Sequence, residues 1–121
     1  MPVRRYPDRA AVGRALAAWA DEQRRLRPEL LRLGVFGSFA RGDWGVGSDL
    51  DLVAVVRRAE RPFIERARDW PLEKLPVDAD LLVYTPEELA KLSAANTRFA
   101  RVLREETRWI VGGDGEAAPS A

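Results

Sequence analysis

The sequence predicts an α/β (α+β) domain, a small mixed β-sheet with helices packed on one face. Three observations predict it. Helix-like and strand-like stretches alternate from residue 8 to residue 111. Three of the strand-like runs are short and rich in Leu and Val. Cap and turn residues (Pro28, Gly37, Pro71, Thr85-Pro86) fall between the elements. A chain of 121 residues with 46% hydrophobic side chains suits one domain with a modest core.

Residues 1–7 read as an irregular lead. Asp8 then caps a helix to about Leu26, with Val12, Leu16, Trp19, Gln23 and Leu26 on one face and Gln23 as its polar exception. Trp19 is expected in the core. Arg24, Arg25 and Arg27 make the far end basic, which suits the negative pole of the helix dipole. Pro28 closes this helix. Leu30, Leu31, Leu33, Val35 and Phe36 form a strand, and Gly37-Ser38 turns into a short helix beginning Ser38-Phe39-Ala40-Arg41. Gly42, Gly45 and Gly47 mark a loop before a buried strand over 49–56. A polar connection over 57–62 precedes a short helix from Phe63 to Trp70, with Phe63, Ala67 and Trp70 on one side. Residues 77–84 are the third strand. Thr85, Pro86 and Glu88 spell a capping box for a helix carrying Leu89 and Leu92. A last helix begins near Asn96 with Phe99, Val102 and Leu103 inward, and Trp109-Ile110-Val111 forms an edge strand. The folded domain is expected to span 1–111, with 112–121 as a disordered tail.

Composition narrows the chemistry. There is no cysteine, hence no disulfide or thiolate site, and no histidine to serve as base or ligand. Acid–base and metal chemistry must therefore use carboxylates. The net charge of +1 argues against direct nucleic-acid binding. No run has the length of a membrane span and no signal-peptide pattern opens the sequence, so a cytoplasmic location is expected.

The segment from Leu33 to Arg57 concentrates the chemistry. A glycine–serine turn leading from a strand into a helix leaves backbone N–H groups free, and those donors suit a phosphate. Gly37 permits close backbone approach, Ser38 adds a hydroxyl, and Arg41 lies one turn further on. Asp49 and Asp51 alternate along the next strand, so both project from one face with Cα atoms about 6.5–7 Å apart. Two like charges meeting there call for a divalent cation, and all-oxygen ligation favours Mg²⁺, or Mn²⁺, over Zn²⁺. Asp78 and Asp80 share a face of the third strand, and Asp80, inside an apolar run, needs a partner. Trp44 in the glycine loop suits either a stacking contact or ordinary packing.

Gly37-Ser38, ten residues, then Asp49-x-Asp51 resembles the signature of the nucleotidyltransferase superfamily that includes DNA polymerase beta. The fuller string GSFARGDWGVGSDLDL, with Ala40, Arg41, Gly42 and Ser48, is similar to the small minimal nucleotidyltransferases. The four fixed positions have a chance frequency of roughly 1 in 10⁵ per starting residue. The resemblance covers about residues 10–111. It implies that Gly37 and Ser38, with Arg41 and Ser48, bind a nucleoside triphosphate, ATP in the leading case. It implies that Asp49 and Asp51 bind two Mg²⁺ ions. A third carboxylate, best matched by Asp80 in the frame Asp80-Leu-Leu-Val-Tyr-Thr-Pro-Glu-Glu, shares the catalytic metal and helps deprotonate an acceptor hydroxyl. That hydroxyl attacks the α-phosphate and pyrophosphate leaves.

Larger superfamily members carry extra acceptor domains that this sequence does not accommodate. Minimal nucleotidyltransferases are often paired with a small helical HEPN toxin. The resemblance therefore implies an antitoxin that transfers AMP from ATP to a tyrosine of a HEPN partner. Two alternatives stand beside it: a catalytically weak module that neutralises such a partner by contact, and a small-molecule adenylyltransferase acting as a homo-oligomer.

Overall fold

A computed structural model describes residues 7–45 and 47–112. Residues 1–6 of the expected lead (1–7) and 113–121 of the expected tail (112–121) lie outside these residues.

Asp8 accepts from the Ala11 backbone N–H at 2.7 Å and caps helix α1 (Arg9–Leu26). Val12, Leu16, Trp19 and Gln23 are buried as the stripe predicts. Leu26 is not: it is 66% exposed, because the helix ends there at Arg27, before Pro28. Buried Gln23 accepts from Arg27 Nε at 2.9 Å through its amide oxygen. Trp19 donates from its indole to the Pro71 carbonyl at 2.9 Å and packs 6.1 Å from Trp70, fixing the helix to the Pro71 turn.

Strand β1 (Leu30–Phe36) runs into the one-turn helix α2 (Ser38–Arg41). Strand β2 (Leu50–Val56) follows. Residues Phe63–Asp69 form the short helix expected, wound as a 3₁₀ helix, and Leu72–Lys74 form another. Pro62 before the first and Pro71 after it limit the segment to a few tight turns. Strand β3 (Ala79–Tyr84) starts two residues later than predicted. Thr85 caps helix α3 (Pro86–Ala94) with the capping box closed by Glu88, and Thr97 caps helix α4 (Arg98–Glu106). Strand β4 (Arg108–Val111) completes the sheet.

The sheet order is β3-β2-β1-β4. The β1–β2 and β1–β4 pairs are antiparallel, and β2–β3 is parallel. The sheet is thus mixed, as expected. The helices, however, cover both faces rather than one. Val12, Leu16 and Trp19 of α1 share a core with Leu33, Val35, Leu52 and Leu81. Leu89, Leu92 and Leu103 of α3 and α4 cluster with Phe36 and Val53. Residues next to each other on a strand point oppositely, so Val35 and Phe36, or Leu52 and Val53, need covers on opposite sides. The near-continuous apolar run Leu52–Val56 is the trace of that double cover. Among the described residues, no helix is long and apolar enough to cross a membrane.

Candidate active site

The α3/α4 face is where the acidic residues emerge. In the parallel β2–β3 ladder Asp51 is paired with Asp80, so both side chains leave the same face. Phe36, at the end of β1, is paired with Asp51 from the other side. The chain then bends: Gly37 adopts φ +78°, a left-handed conformation costly for other residues. A Cβ at Gly37 would fall into the Asp51 carboxylate, 3.2 Å from its Cγ. The turn is therefore pressed against Asp51. The sequence requires glycine there for conformation and for space at once.

Asp49 immediately precedes β2 and is exposed. Asp51 is half-buried, and burial pushes its carboxyl above the usual range; the charges of Asp80 and then Asp49 push it further, while Arg41 pulls it back. Those three neighbours are the other charged groups expected at the site. Asp78 is not among the groups acting on Asp51. It lies outside β3, where its carbonyl accepts from the Leu50 N–H at 2.9 Å. Asp80 is exposed, so the expected need for a buried partner does not arise.

Ser38 opens α2, whose first amides have no partner within so short a helix. Four residues give little macrodipole, so the bend offers chiefly its free N–H groups and the closeness of Asp51. Arg41 is held at the surface by Asp43 (3.3 Å) and Glu106 (3.2 Å), and those two hydrogen bonds raise its pKa. Ser48 accepts from the Gly45 N–H at 3.3 Å through its hydroxyl, bracing the glycine loop. Trp44 packs edge-on against Phe39, with ring centroids 5.7 Å apart, which favours the packing role.

A cleft of about 490 Å³ opens at the carboxylates, lined by Asp51, Asp80, Phe36, Leu82 and Phe99 among others. Phe99 was expected inward. It packs edge-on against Phe36 yet remains 39% exposed, so it walls the cleft as well as the core. Helical periodicity put Phe99 on the correct side of α4 but carried no signal that this side borders an opening. A larger cleft, about 610 Å³, lies at the opposite end of the sheet beside Leu30, Val56 and Trp70. Two of its three acidic groups pair with arginines, Glu29 with Arg57 and Asp69 with Arg61, so no set of unpaired carboxylates converges there as at Asp51 and Asp80.

The donor set fits a hard divalent cation. Asp51 is strained by like charges that such an ion would neutralise. Among the described residues, no three acidic groups form a complete cage.

The profile of the nucleotidyltransferase domain family matches residues 19–110, most of the chain. This chain belongs to the nucleotidyltransferase domain family. The match contains the glycine–serine bend and all three aspartates. No curated protein sequence matches significantly. Solved structures agree on the nucleotidyltransferase fold. A candidate nucleotidyltransferase from Sulfolobus solfataricus is similar with a TM-score of 0.60 at 20% identity, over 84% of this chain and 80% of that one. A toxin–antitoxin complex with AMP-PNP gives 0.58 at 19% identity, over 83% and 76%. A mutant of the MntA–HpeT toxin–antitoxin pair gives 0.52 at 17% identity, over 80% and 72%.

Proposed function

We infer that this nucleotidyltransferase domain moves AMP from ATP to a hydroxyl of a protein partner, a tyrosine on a HEPN-type toxin, and thereby acts as the antitoxin. The observation that carries the reading is the Asp51–Asp80 pairing on one sheet face with the Gly37 bend packed against Asp51. Two structures of similar fold are toxin–antitoxin assemblies, one of them with AMP-PNP, and that likeness supports both the nucleotide and the kind of acceptor.

Each side chain then has a task. Asp49, Asp51 and Asp80 would hold Mg²⁺, two ions in the full site, with Mn²⁺ as a substitute. The bound cation supplies charge neutralisation for the phosphoryl oxygens. Backbone N–H groups at Gly37 and Ser38 donate to the triphosphate, and Arg41 and Ser48 flank it. Asp80, exposed at the rim, accepts the proton of the acceptor hydroxyl as that oxygen attacks the α-phosphorus and pyrophosphate leaves. The cleft beside Asp80 is walled by Phe36 and Phe99, which suits an aryl-bearing acceptor.

Incubation with Mg²⁺, α-labelled ATP and the candidate toxin tests this directly. Label on the toxin, lost in Asp51→Asn and on replacing the acceptor tyrosine by Phe, is the expected result. Inhibition of the toxin without label would replace transfer by neutralisation through contact. Label on a small molecule alone would move the acceptor off the protein.

A further inference from the structure

A third cleft, of about 570 Å³, is lined by Arg41, Arg98, Arg101, Val102, Glu105 and Glu106. Arg98 and Arg101 are three residues apart on α4, so they share one edge of that helix. Both are exposed, and neither makes an ion pair or side-chain hydrogen bond among the described residues. Like charges at this spacing repel, and the arrangement gains only when an anion sits between them. Solvated arginines on a helix are common. What sets these apart is the third member of the cleft. Arg41 closes α2 three residues after Ser38, and its charge reaches Asp51.

We propose that Arg98 and Arg101, together with Arg41, clamp the β- and γ-phosphates of the nucleoside triphosphate, and that Glu106 is an internal anion the polyphosphate displaces from Arg41. The proposal rests on the nucleotidyltransferase reading and extends it to α4. A triphosphate whose α-phosphate lies at Asp51 and the Gly37 bend has its remaining phosphates directed along α2 toward Arg41. The arginine cleft is there to receive them. Guanidinium groups suit this task because their planar fork bonds two phosphate oxygens at once. Glu106 now holds Arg41 Nη1 at 3.2 Å, and Asp43 holds Nε at 3.3 Å. These contacts are exposed and weak individually, so a multiply charged ligand can exchange with them. Glu106 thus acts through Arg41 and is a positioning residue. Removing it has a sign opposite to removing Arg98 or Arg101.

Calorimetric titration of the full chain with inorganic tripolyphosphate, and separately with AMP, tests the clamp. Tripolyphosphate binds the unaltered protein. Arg98→Gln and Arg101→Gln each weaken it about tenfold, as expected for one lost charge-assisted contact. AMP, lacking the outer phosphates, changes less than about twofold, within the non-additive scatter of such comparisons. Glu106→Gln tightens tripolyphosphate binding. All three substitutions are at the surface, and equal melting temperatures verify intact folding. Undiminished tripolyphosphate binding in both arginine variants, equal weakening of AMP, or weaker binding in Glu106→Gln overturns the proposal, as does failure of tripolyphosphate to bind at all. Absence of nucleotidyl transfer with this pattern of binding intact would instead sink the acceptor reading and leave the clamp standing.

Discussion

Along β2, Leu50, Leu52 and Ala54 point to the α1 face and are wholly buried; between them, Asp51 and Val53 point to the α3/α4 face, and Asp51 is left partly open. The α1 face carries a core that runs from Val12 to Val111. On the opposite face the buried cluster among the described residues is small, Phe36, Val53 and Leu103 with half-buried side chains around them. One strand thus divides its labour by alternation. The face that is packed can supply most of the stability, and the thinner face can tolerate a group of mutually repelling carboxylates at its rim. Site and scaffold share a backbone and meet at Phe36 and Leu81, which belong to the two cores and also line the cleft.

That comparison breaks most sharply at Asp51. Asp51→Asn should reduce nucleotidyl transfer by at least about a thousandfold, since several kcal/mol of charge stabilisation at about 1.4 kcal/mol per decade are lost with the cation. It should also raise the melting temperature of the metal-free protein. The Asp51 pKa lies above its unfolded value, so ionising Asp51 opposes folding, and this penalty is complete above the raised pKa and fades as pH falls toward 3.8. A neutral amide removes the penalty at neutral pH. Melting curves in EDTA and in Mg²⁺ check both halves: Mg²⁺ should stabilise the natural sequence and leave the variant unmoved. A variant that loses activity and melts lower in EDTA would show that Asp51 also supports the fold.

The converse change lies one residue away. Leu52→Ala removes a wholly buried side chain from the α1 face and should cost about 2–5 kcal/mol by denaturant titration. Transfer activity per folded molecule should stay near that of the natural sequence. Equal losses of activity and stability would mean that the two faces are coupled through the strand.

Gly37→Ala is the mixed case, because the bend belongs to both. The positive φ and extended ψ of Gly37 form a conformation almost confined to glycine, and holding another residue there costs about 1–3 kcal/mol. The added methyl also displaces the Asp51 carboxylate that now fills its place. Stability should fall by that modest amount while transfer falls much further. A purely conformational role for Gly37 would give the stability loss with activity retained, and the ratio of the two effects separates the roles.

How far the sequence could be read follows from the same division. Short-range signals were legible. Asp8 and Thr85 sit next to the turns they cap, and the capping box at Thr85–Glu88 is written in adjacent letters; the sequence puts the start of the last helix near Asn96, one residue before its cap Thr97. Asp49 and Asp51 are linked by strand alternation alone. Asp80 was reachable only through the resemblance, because strand alternation does not say which strands become neighbours. The parallel pairing that sets Asp80 beside Asp51 is made across 29 residues. The placement of helices on both faces was missed for a related reason. The signal was there in the near-continuous apolar run Leu52–Val56, since a strand covered on one side alternates apolar and polar residues, but nothing local says which helices supply the second cover. Glu106 as the partner of Arg41 is a contact over 65 residues with no local trace.

The smallest expected effect tests whether the thinner face holds its own supports. Arg66 reaches from the 3₁₀ segment to Glu88 with bonds of 2.6 and 3.1 Å, and also donates to the Val83 and Arg61 carbonyls. The Arg66 guanidinium, aided by the Thr85 N–H, holds the Glu88 carboxyl down to about 2, from an ordinary 4.5. A carboxylate with a depressed folded pKa contributes stability that is complete above its unfolded value and is lost as pH falls through the folded one. The window is therefore about pH 4.5 down to about 2. Glu88 is 41% exposed, so solvent screening keeps the contribution to about 1 kcal/mol or less. Glu88→Gln retains a carbonyl oxygen for the Thr85 N–H and removes only the charge. Denaturation midpoints of the two proteins should differ slightly at pH 7 and converge as pH falls through the window. A gap that persists unchanged to pH 2 would show that the difference does not come from the Glu88 charge and its ion pair with Arg66.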